Sequence, residues 1–251
     1  MKKYIVHLAL IGIFISVLVA GCQSASSLPR EQEVDSPQLS TSTSGQNSHE
    51  MQLPMPEHDR GMLTLPPTLS HSEHSEFITI RGIEYSTSLT SLDLNHGIFE
   101  FTNEDIVALQ YMVNLTELTL RGNEITDISS LSNLTLLEVL VISNTSVEDI
   151  SPLSALTNLN VLKLNHNRIS NLSPLAALTN LRELELISEA IADISPLSSL
   201  ENLEYLVLSF NQISDISPLR QLPNLSSLCL LDNPITDWSP VAHIENVSGR
   251  P

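Results

Sequence analysis

The feature that most constrains this chain is a repeat of 22 residues that runs from residue 115 to residue 246 without an insertion. Each copy follows the pattern L-x-x-L-x-L-x-x-N-x-I-x-D-I-S-P-L-x-x-L-x-N, in which seven of the 22 positions are apolar. A coiled coil is excluded, because its period would be about 7 or 11 residues. The repeat therefore predicts a stack of similar units. The copies begin at Leu115, Leu137, Leu159, Leu181, Leu203 and Leu225.

Two segments of each copy predict its local structure. The segment L-x-x-L-x-L predicts a short strand whose leucines at positions 4 and 6 point inward, such as Leu162 and Leu164. Neighbouring copies should pair these strands in parallel. The Ser-Pro pair predicts a helix start, in which serine caps free N–H groups and proline takes the first helical position. Only the copy that begins at Leu115 has Ser129-Ser130 instead.

This pattern resembles the leucine-rich repeat family in its short bacterial form, as in internalin-like surface proteins, and the resemblance covers about 77–246. It implies an α/β repeat fold, a leucine-rich-repeat solenoid with a parallel β-sheet on the concave face and short 3-10 or irregular turns on the convex face. In this family the asparagine at position 9 is buried, and its amide bonds backbone groups of the turn. Thr145 and Glu189 depart from it, so we expect a weaker ladder there. The matching residues are Asn123, Asn167, Asn211 and Asn233.

The ends of the repeat array depart from the pattern, as capping units should. Residues 73–114 are interpreted as an N-terminal cap that contains a degenerate copy at 89–114, and 77–85 is predicted to be a cap strand. At the other end, Trp238 replaces an isoleucine and is expected to cover the last core layer. Residues 247–251 are interpreted as a C-terminal tail.

The N-terminus has the composition of an export signal. Lys2 and Lys3 precede an apolar stretch over 4–21, which ends in Val-Ala-Gly before Cys22. These last residues resemble the lipobox of bacterial lipoproteins, which implies a signal peptide at 1–21 and an acylated Cys22 at the outer face of a bacterial membrane. The alternative is an uncleaved membrane anchor. Both place the remaining chain outside the cytoplasm, and lipidation would leave Cys229 without an intramolecular disulfide.

Residues 22–72 are rich in Ser, Thr, Pro and Gln and show little periodicity. This composition cannot bury enough apolar area to offset chain entropy, so we expect a disordered tether. Such a tether spans on the order of 40 Å and would lift the repeats off the membrane.

The net charge of −18 bears on the partner. So acidic a surface repels phosphate groups, which argues against nucleic acids and against attachment to anionic lipids by charge. A cationic or mixed-charge partner is more plausible.

The side chains that point out of the predicted sheet, at positions 3, 5, 7 and 8, are the candidate ligand-binding residues. Exposed apolar groups around charge resemble a protein-binding surface, although strands favour β-branched and aromatic residues in any case. One apolar cluster contains Val139, Val141 and Val161, a second contains Tyr205, Val207, Phe210, Ile187 and Leu231, and the polar Lys163, Glu183 and Glu185 lie between them.

We therefore predict a monomeric surface module that binds a protein, or alternatively a glycan, in adhesion or recognition. The alternative is an envelope scaffold that assembles other exported proteins. No nucleophile–base pair or closed metal site is recognisable, so neither enzyme activity nor a cofactor is predicted. The recurring aspartates at position 13 are expected to bond backbone at the turn rather than to bind a metal.

Overall fold

The computed structural model describes residues 76–95, 101–122 and 124–250. Its main element is an eight-stranded parallel sheet in which the strands follow one another in chain order, preceded by a separate two-stranded antiparallel sheet. Short 3-10 helices connect the parallel strands. This arrangement confirms the predicted α/β solenoid. The proposed signal peptide and tether lie outside the described residues.

All the parallel strands except the last begin at position 3 of a copy, and their register is kept from one copy to the next. Leu162 pairs with Leu184, and Leu184 pairs with Leu206. Equivalent residues are therefore stacked, which lets one sequence pattern serve every layer. The strands are β1 (Phe77–Ile80), β2 (Ile83–Ser86), β3 (Ser91–Asp93), β4 (Glu117–Arg121), β5 (Val139–Ser143), β6 (Val161–Lys163), β7 (Glu183–Glu185), β8 (Tyr205–Val207), β9 (Ser227–Cys229) and β10 (Asn246–Ser248).

The core is a set of aliphatic columns between the sheet and the 3-10 helices. In the copy that begins at Leu159, all seven apolar positions of the pattern are at most 1% exposed. One copy alone would leave these side chains facing water on both sides, so stacking is what makes their burial possible. These residues are Leu159, Leu162, Leu164, Ile169, Leu172, Leu175 and Leu178.

The 3-10 helices begin differently from the prediction. The residue before each helix is an isoleucine, leucine or tryptophan, and no side chain caps it. The aspartate at position 13 instead accepts the serine N–H, as between Asp149 and Ser151 at 2.8 Å. The expectation that serine is the capping residue is wrong, because serine already occupies the first helical position. The helices are Ser129–Leu131, Ser151–Ala155, Ser173–Ala177, Ser195–Ser199, Ser217–Gln221 and Ser239–Val241.

A second asparagine ladder, at position 22, joins neighbouring copies. The amide of Asn158 donates to the carbonyl of Thr135 at 2.8 Å, one copy back in the chain. Leu136 replaces this asparagine in the copy that begins at Leu115 and is 48% exposed. The asparagine at position 22 recurs in the repeat, but the sequence did not reveal that its side chain bonds the backbone of the preceding copy. Equivalent bonds are made by Asn114, Asn180, Asn202 and Asn224.

The N-terminal cap is a hairpin rather than the predicted single strand. Residues 77–80 and 83–86 pair antiparallel, and Arg81 and Gly82 both have positive φ in the turn between them. Two consecutive residues with positive φ are typical of a two-residue hairpin turn. Arg81 also pairs at 2.8 Å with Asp105, a residue of the short helix α1 (Asn103–Ile106), which ties the hairpin to the first copy. A second short helix, Val107–Tyr111, follows α1.

The C-terminal end also differs from the prediction. Residues 247 and 248 were expected to lie in a tail, but they belong to β10, which pairs with β9. Gly249 follows with φ +105, and a Cβ there would lie 2.8 Å from backbone atoms of Leu230 and Leu231. Only glycine allows this close approach. Trp238 packs against the core beside this last layer.

No helix within the described ranges is long and apolar enough to cross a membrane.

The structure predicts that Ser130→Pro stabilises the protein. Ser130 stands where five other copies have proline, and its buried hydroxyl has no hydrogen-bond partner within the described residues. Proline should raise the free energy of unfolding by about 0.5–1 kcal/mol, because it restricts the unfolded chain at a position whose backbone already suits it. Urea unfolding of both proteins measures the difference. Ser130→Ala separates loss of the hydroxyl from the effect of proline, and a lower midpoint for Ser130→Pro would contradict the prediction.

Candidate functional site

The second apolar cluster forms a compact group on the concave face of β7, β8 and β9. Ile187, Val207 and Cys229 make its buried floor. Tyr205, Phe210 and Leu231 are half-buried and pack against that floor. The structure thus brings the predicted residues of this cluster together and adds Cys229 to them. We call these six residues the apolar cluster.

Burial within the two clusters differs from the expectation that all their side chains are exposed. Val207 is 0% exposed and Ile187 is 5% exposed, so neither can meet a partner directly. Val141 of the first cluster is likewise buried, at 6%, whereas Val139 and Val161 are half-exposed neighbours on β5 and β6. Pointing out of a sheet does not ensure exposure when larger side chains stand on the neighbouring positions. The surface open to a partner is therefore smaller than the sequence indicated.

A charged group lies beside the apolar cluster. The ammonium of Lys163 is 2.6 Å from a carboxylate oxygen of Glu183 and 3.0 Å from one of Glu185. Burial by itself lowers the pKa of Lys163, but the charge of Glu185 and hydrogen bonds to both carboxylates outweigh it and raise that pKa. We call Lys163, Glu183 and Glu185 the charged triad.

Asn165 connects the charged triad to the apolar cluster. Its amide nitrogen donates to Glu185 at 2.9 Å, and its amide oxygen accepts the N–H of Ile187 at 3.0 Å. It therefore fixes the carboxylate relative to β7. Asn165 was not among the ligand-binding residues predicted from the sequence. Its position beside Lys163 on the outward face was the available signal.

Tyr205 is the cross-strand neighbour of Glu183. Burial raises the pKa of Tyr205, and the negative charges of Glu185 and Glu183 raise it further. The phenol therefore stays protonated at neutral pH and keeps a hydrogen to donate. Its ring stands at the border between the charged triad and the apolar cluster.

The residue at position 8 of each copy has a left-handed backbone, from φ +52 at Asp232 to φ +64 at Gly122. Glycine, asparagine, aspartate and histidine are the residues found most often in this conformation, whereas Phe210, at φ +61, does not adopt it readily. The left-handed region costs such a residue about 1–2 kcal/mol. The N–H of Phe210 donates to the carbonyl of Leu231 at 2.8 Å, and the ring packs against the buried floor of the apolar cluster. Strain retained at one bulky residue points to a function for its side chain.

Behind the concave face, the position-9 side chains bond the backbone of neighbouring copies. Asn211 donates to the carbonyl of Leu186 at 2.8 Å and accepts from the N–H of Ile191 at 3.2 Å. Asn167 and Asn233 make equivalent bonds to backbone carbonyls. The hydroxyl of Thr145 donates to the side chain of Asn167. Asn123 lies outside the described residues.

Glu189 takes the asparagine position in its copy and is buried. Its two oxygens accept the N–H groups of Asn167 at 2.7 Å and Ile169 at 2.9 Å. Unlike asparagine, an ionised glutamate cannot also donate to a carbonyl. Burial raises the pKa of Glu189 to about 7, although the hydrogen bonds from Ile169 and Asn167 oppose the rise.

Two further groups of residues were the subject of sequence-based expectations: Cys229 and the aspartates at position 13. Cys229 is disulfide-bonded, so the expectation that it carries a thiol is wrong; its sulfur also accepts the hydroxyl of Ser209 at 3.2 Å. Cys22, the other cysteine of the sequence, lies outside the described residues.

Hydrogen bonds from serine lower the pKa of position-13 aspartates such as Asp149 and Asp215. Within the described ranges, no three His, Cys, Asp or Glu side chains are grouped to hold a metal ion.

Comparison with known families gives a match over about half the chain. The model described as Leucine Rich repeats (2 copies) matches residues 113–155, 157–199 and 201–243. No curated protein sequence matches the chain.

Among solved structures, internalin C2 from Listeria monocytogenes is 35% identical, with a TM-score of 0.53, and the match covers 65% of this chain and 82% of that one. A second Listeria monocytogenes internalin, inlF, is 32% identical with a TM-score of 0.53; 67% of this chain and 57% of that one are covered. The ectodomain of the Arabidopsis thaliana receptor kinase GASSHO1/SCHENGEN3 is 24% identical over 57% of this chain and 19% of its own, with a TM-score of 0.50. This last similarity concerns the fold alone.

The buried carboxyl of Glu189 predicts a pH dependence of stability. Its folded-state pKa of about 7 lies above the usual 4.5, so the folded protein binds more protons between these values and loses stability as pH rises through them. Glu189→Gln should remove roughly 2–3 kcal/mol of the difference in unfolding free energy between pH 5 and pH 8. Urea titrations at both pH values measure this.

The control for this experiment is Glu138→Gln, which removes an exposed carboxylate and so accounts for the general effect of the acidic surface. The prediction fails if wild type and Glu189→Gln show the same change between the two pH values.

Proposed function

Because the chain belongs to the leucine-rich repeat family, we propose that it is an internalin-like binding module that engages a protein through the concave face around Tyr205 and Phe210. The proposed role is adhesion or recognition at a cell surface. No step of it requires catalysis or a cofactor.

One observation carries the proposal: Phe210 occupies a left-handed backbone position and places its ring on the apolar cluster. The other copies use glycine, asparagine, histidine, serine or aspartate at this position, so the repeat itself does not require a phenyl ring. Half-buried aromatic residues beside charged groups are common anchors in protein interfaces. Tyr205 and Leu231 extend the same surface across neighbouring strands.

The similarity to internalin C2 supports a binding role, because it extends over 82% of that structure. The chain spans 57% of the inlF structure, so whatever the remainder of that protein does is not transferred here. The partner must be identified by experiment. The experiment distinguishes two sources of the partner. A component of another cell fits recognition, whereas an exported protein of the same cell fits an envelope scaffold.

We further propose that the chain is exported and held at the outer face of a bacterial membrane by a lipid on Cys22. The apolar stretch that ends in Val19-Ala20-Gly21-Cys22 supports this. Acyl chains contribute about 0.8 kcal/mol per buried methylene, so two or more give durable anchoring. A thioether on the Cys22 sulfur excludes that sulfur from a disulfide, whereas Cys229 is disulfide-bonded in the structure. Since the sequence has only these two cysteines, the lipidated chain would carry Cys229 as a thiol or pair it with a cysteine of another molecule. The chemical state of Cys22 is therefore decisive.

We expect Tyr205→Ala and Phe210→Asn each to weaken partner binding about 30-fold, as loss of an interface anchor does. Phe210→Asn should keep the free energy of unfolding within about 1 kcal/mol of wild type, because relief of left-handed strain offsets lost packing. The measurement is capture from extracts of other cells and of the organism's own envelope, followed by affinity for the captured protein. Tyr111→Ala is the matched control, since Tyr111 is 57% exposed on a helix of the N-terminal cap. Unchanged capture by both variants would exclude the concave site.

Mass spectrometry of the chain expressed in a bacterium tests the anchor. The expected mature N-terminus is Cys22 with the mass of a diacylglyceryl group, in the membrane fraction. Cys22→Ser should lose both the added mass and signal cleavage, whereas Cys229→Ser should keep the protein at the membrane. A peptide that joins unmodified Cys22 to Cys229 through a disulfide would refute lipidation.

A further inference from the structure

The concave face carries an excess of negative charge on one side of the apolar cluster. Lys163 is one cation between two carboxylates, so the charged triad keeps one uncompensated negative charge. The three side chains are only 13–21% exposed, and partial burial weakens the screening of that charge by water.

One carboxylate oxygen of this site makes no hydrogen bond with a described residue. Oε1 of Glu183 contacts Lys163, and both oxygens of Glu185 are engaged, by Lys163 and by Asn165. Within the described part of the chain, no group donates to Oε2 of Glu183. This carboxylate stands next to the ring of Tyr205 on the neighbouring strand. A carboxylate beside an aromatic face binds a guanidinium or an ammonium by an ion pair and a cation–π contact.

A second carboxylate lies on the other side of the apolar cluster. Asp232 follows Leu231 directly and is exposed, and it occupies the position equivalent to that of Phe210 in the next copy. It makes no ion pair with a described residue. Glu183 and Asp232 belong to copies two apart and to positions 3 and 8 of the pattern. Two strand spacings of about 4.8 Å and five residues of about 3.3 Å along the strand place them on opposite sides of the cluster, on the order of 15–20 Å apart.

We propose, on the basis of the protein-binding function above, that the concave site binds an extended segment of a partner protein in which a large apolar side chain lies between basic residues. The apolar side chain would seat against Tyr205, Phe210 and Leu231. One basic side chain would meet Glu183, and the other would meet Asp232. An extended segment rises about 3.3 Å per residue, so roughly five or six residues span the distance between the two carboxylates.

The test is selection of a displayed library of random 12-residue peptides on the immobilised full chain. The enriched peptides should carry Lys or Arg on both sides of a large apolar residue. Each selected peptide is then synthesised, and its affinity is measured for wild type, Glu183→Gln, Asp232→Asn and Tyr205→Ala. Loss of one charged contact should weaken binding about tenfold.

Glu138→Gln is the matched control, because it removes an equally negative but exposed side chain outside the site. It should leave the affinity within twofold of wild type, which excludes attraction to the acidic surface in general.

The remaining outcomes separate the two proposals. Neutral or acidic peptides that lose binding with Tyr205→Ala would overturn the basic pattern and leave the concave protein-binding site standing. Peptides that bind Tyr205→Ala as well as wild type, or no enrichment above a chain that carries both Tyr205→Ala and Phe210→Asn, would overturn both.

Discussion

The structure depends on the stacking of identical coils, because the aliphatic side chains of one coil are covered only by the next. Leu140, Leu162, Leu184 and Leu206 occupy the same position on four neighbouring strands, and each is fully buried. Over the six copies the constant period of 22 residues keeps these leucines in line. The first copy is four residues longer, yet Leu92 still pairs with Leu118, so the core requires this register of the strands rather than one coil length. Stacking also explains why ladders of polar side chains at positions 9 and 22 accompany the leucines, since each coil must bond the backbone of its neighbour.

This requirement leaves the outward side chains of the sheet free to vary. Position 8 shows how that freedom is limited by the backbone, since every copy turns there with a positive φ. The turn favours small or polar residues, and Phe210 is present despite it. The apolar cluster thus combines a backbone fixed by the repeat with side chains that the repeat does not require. The charged triad has the same character, because Lys163 and Glu185 share a position with Val141 and Val207.

The repeated pattern was sufficient to predict the strands, their parallel order and the inward leucines, because each of these follows from one coil being stacked on another. The predictions that were wrong concern features that depend on local side-chain and backbone chemistry rather than on the stacking of copies. Arg81 and Gly82 form a hairpin turn inside a segment that alternates like one strand, and alternation alone cannot reveal the turn. Asp149 bonds the N–H of Ser151 because the helix begins one residue earlier than the Ser-Pro pair suggests. At the candidate site, the burial of Val207 depends on the sizes of its cross-strand neighbours, which a single copy of the pattern does not contain.

In a solenoid, the residues that distinguish one copy from another are of two physical kinds, and burial separates them. Glu189 departs at a buried position, where it still bonds backbone N–H groups, so its effect falls on stability and on the response of stability to pH. Phe210, Tyr205 and Asp232 occupy positions that the pattern leaves open and that reach solvent, where the core gains little from them. Natural selection for folding alone would not place a strained aromatic ring beside uncompensated carboxylates. The arrangement is understandable if a partner supplies the missing contacts, with apolar surface for the ring and positive charge for the carboxylates.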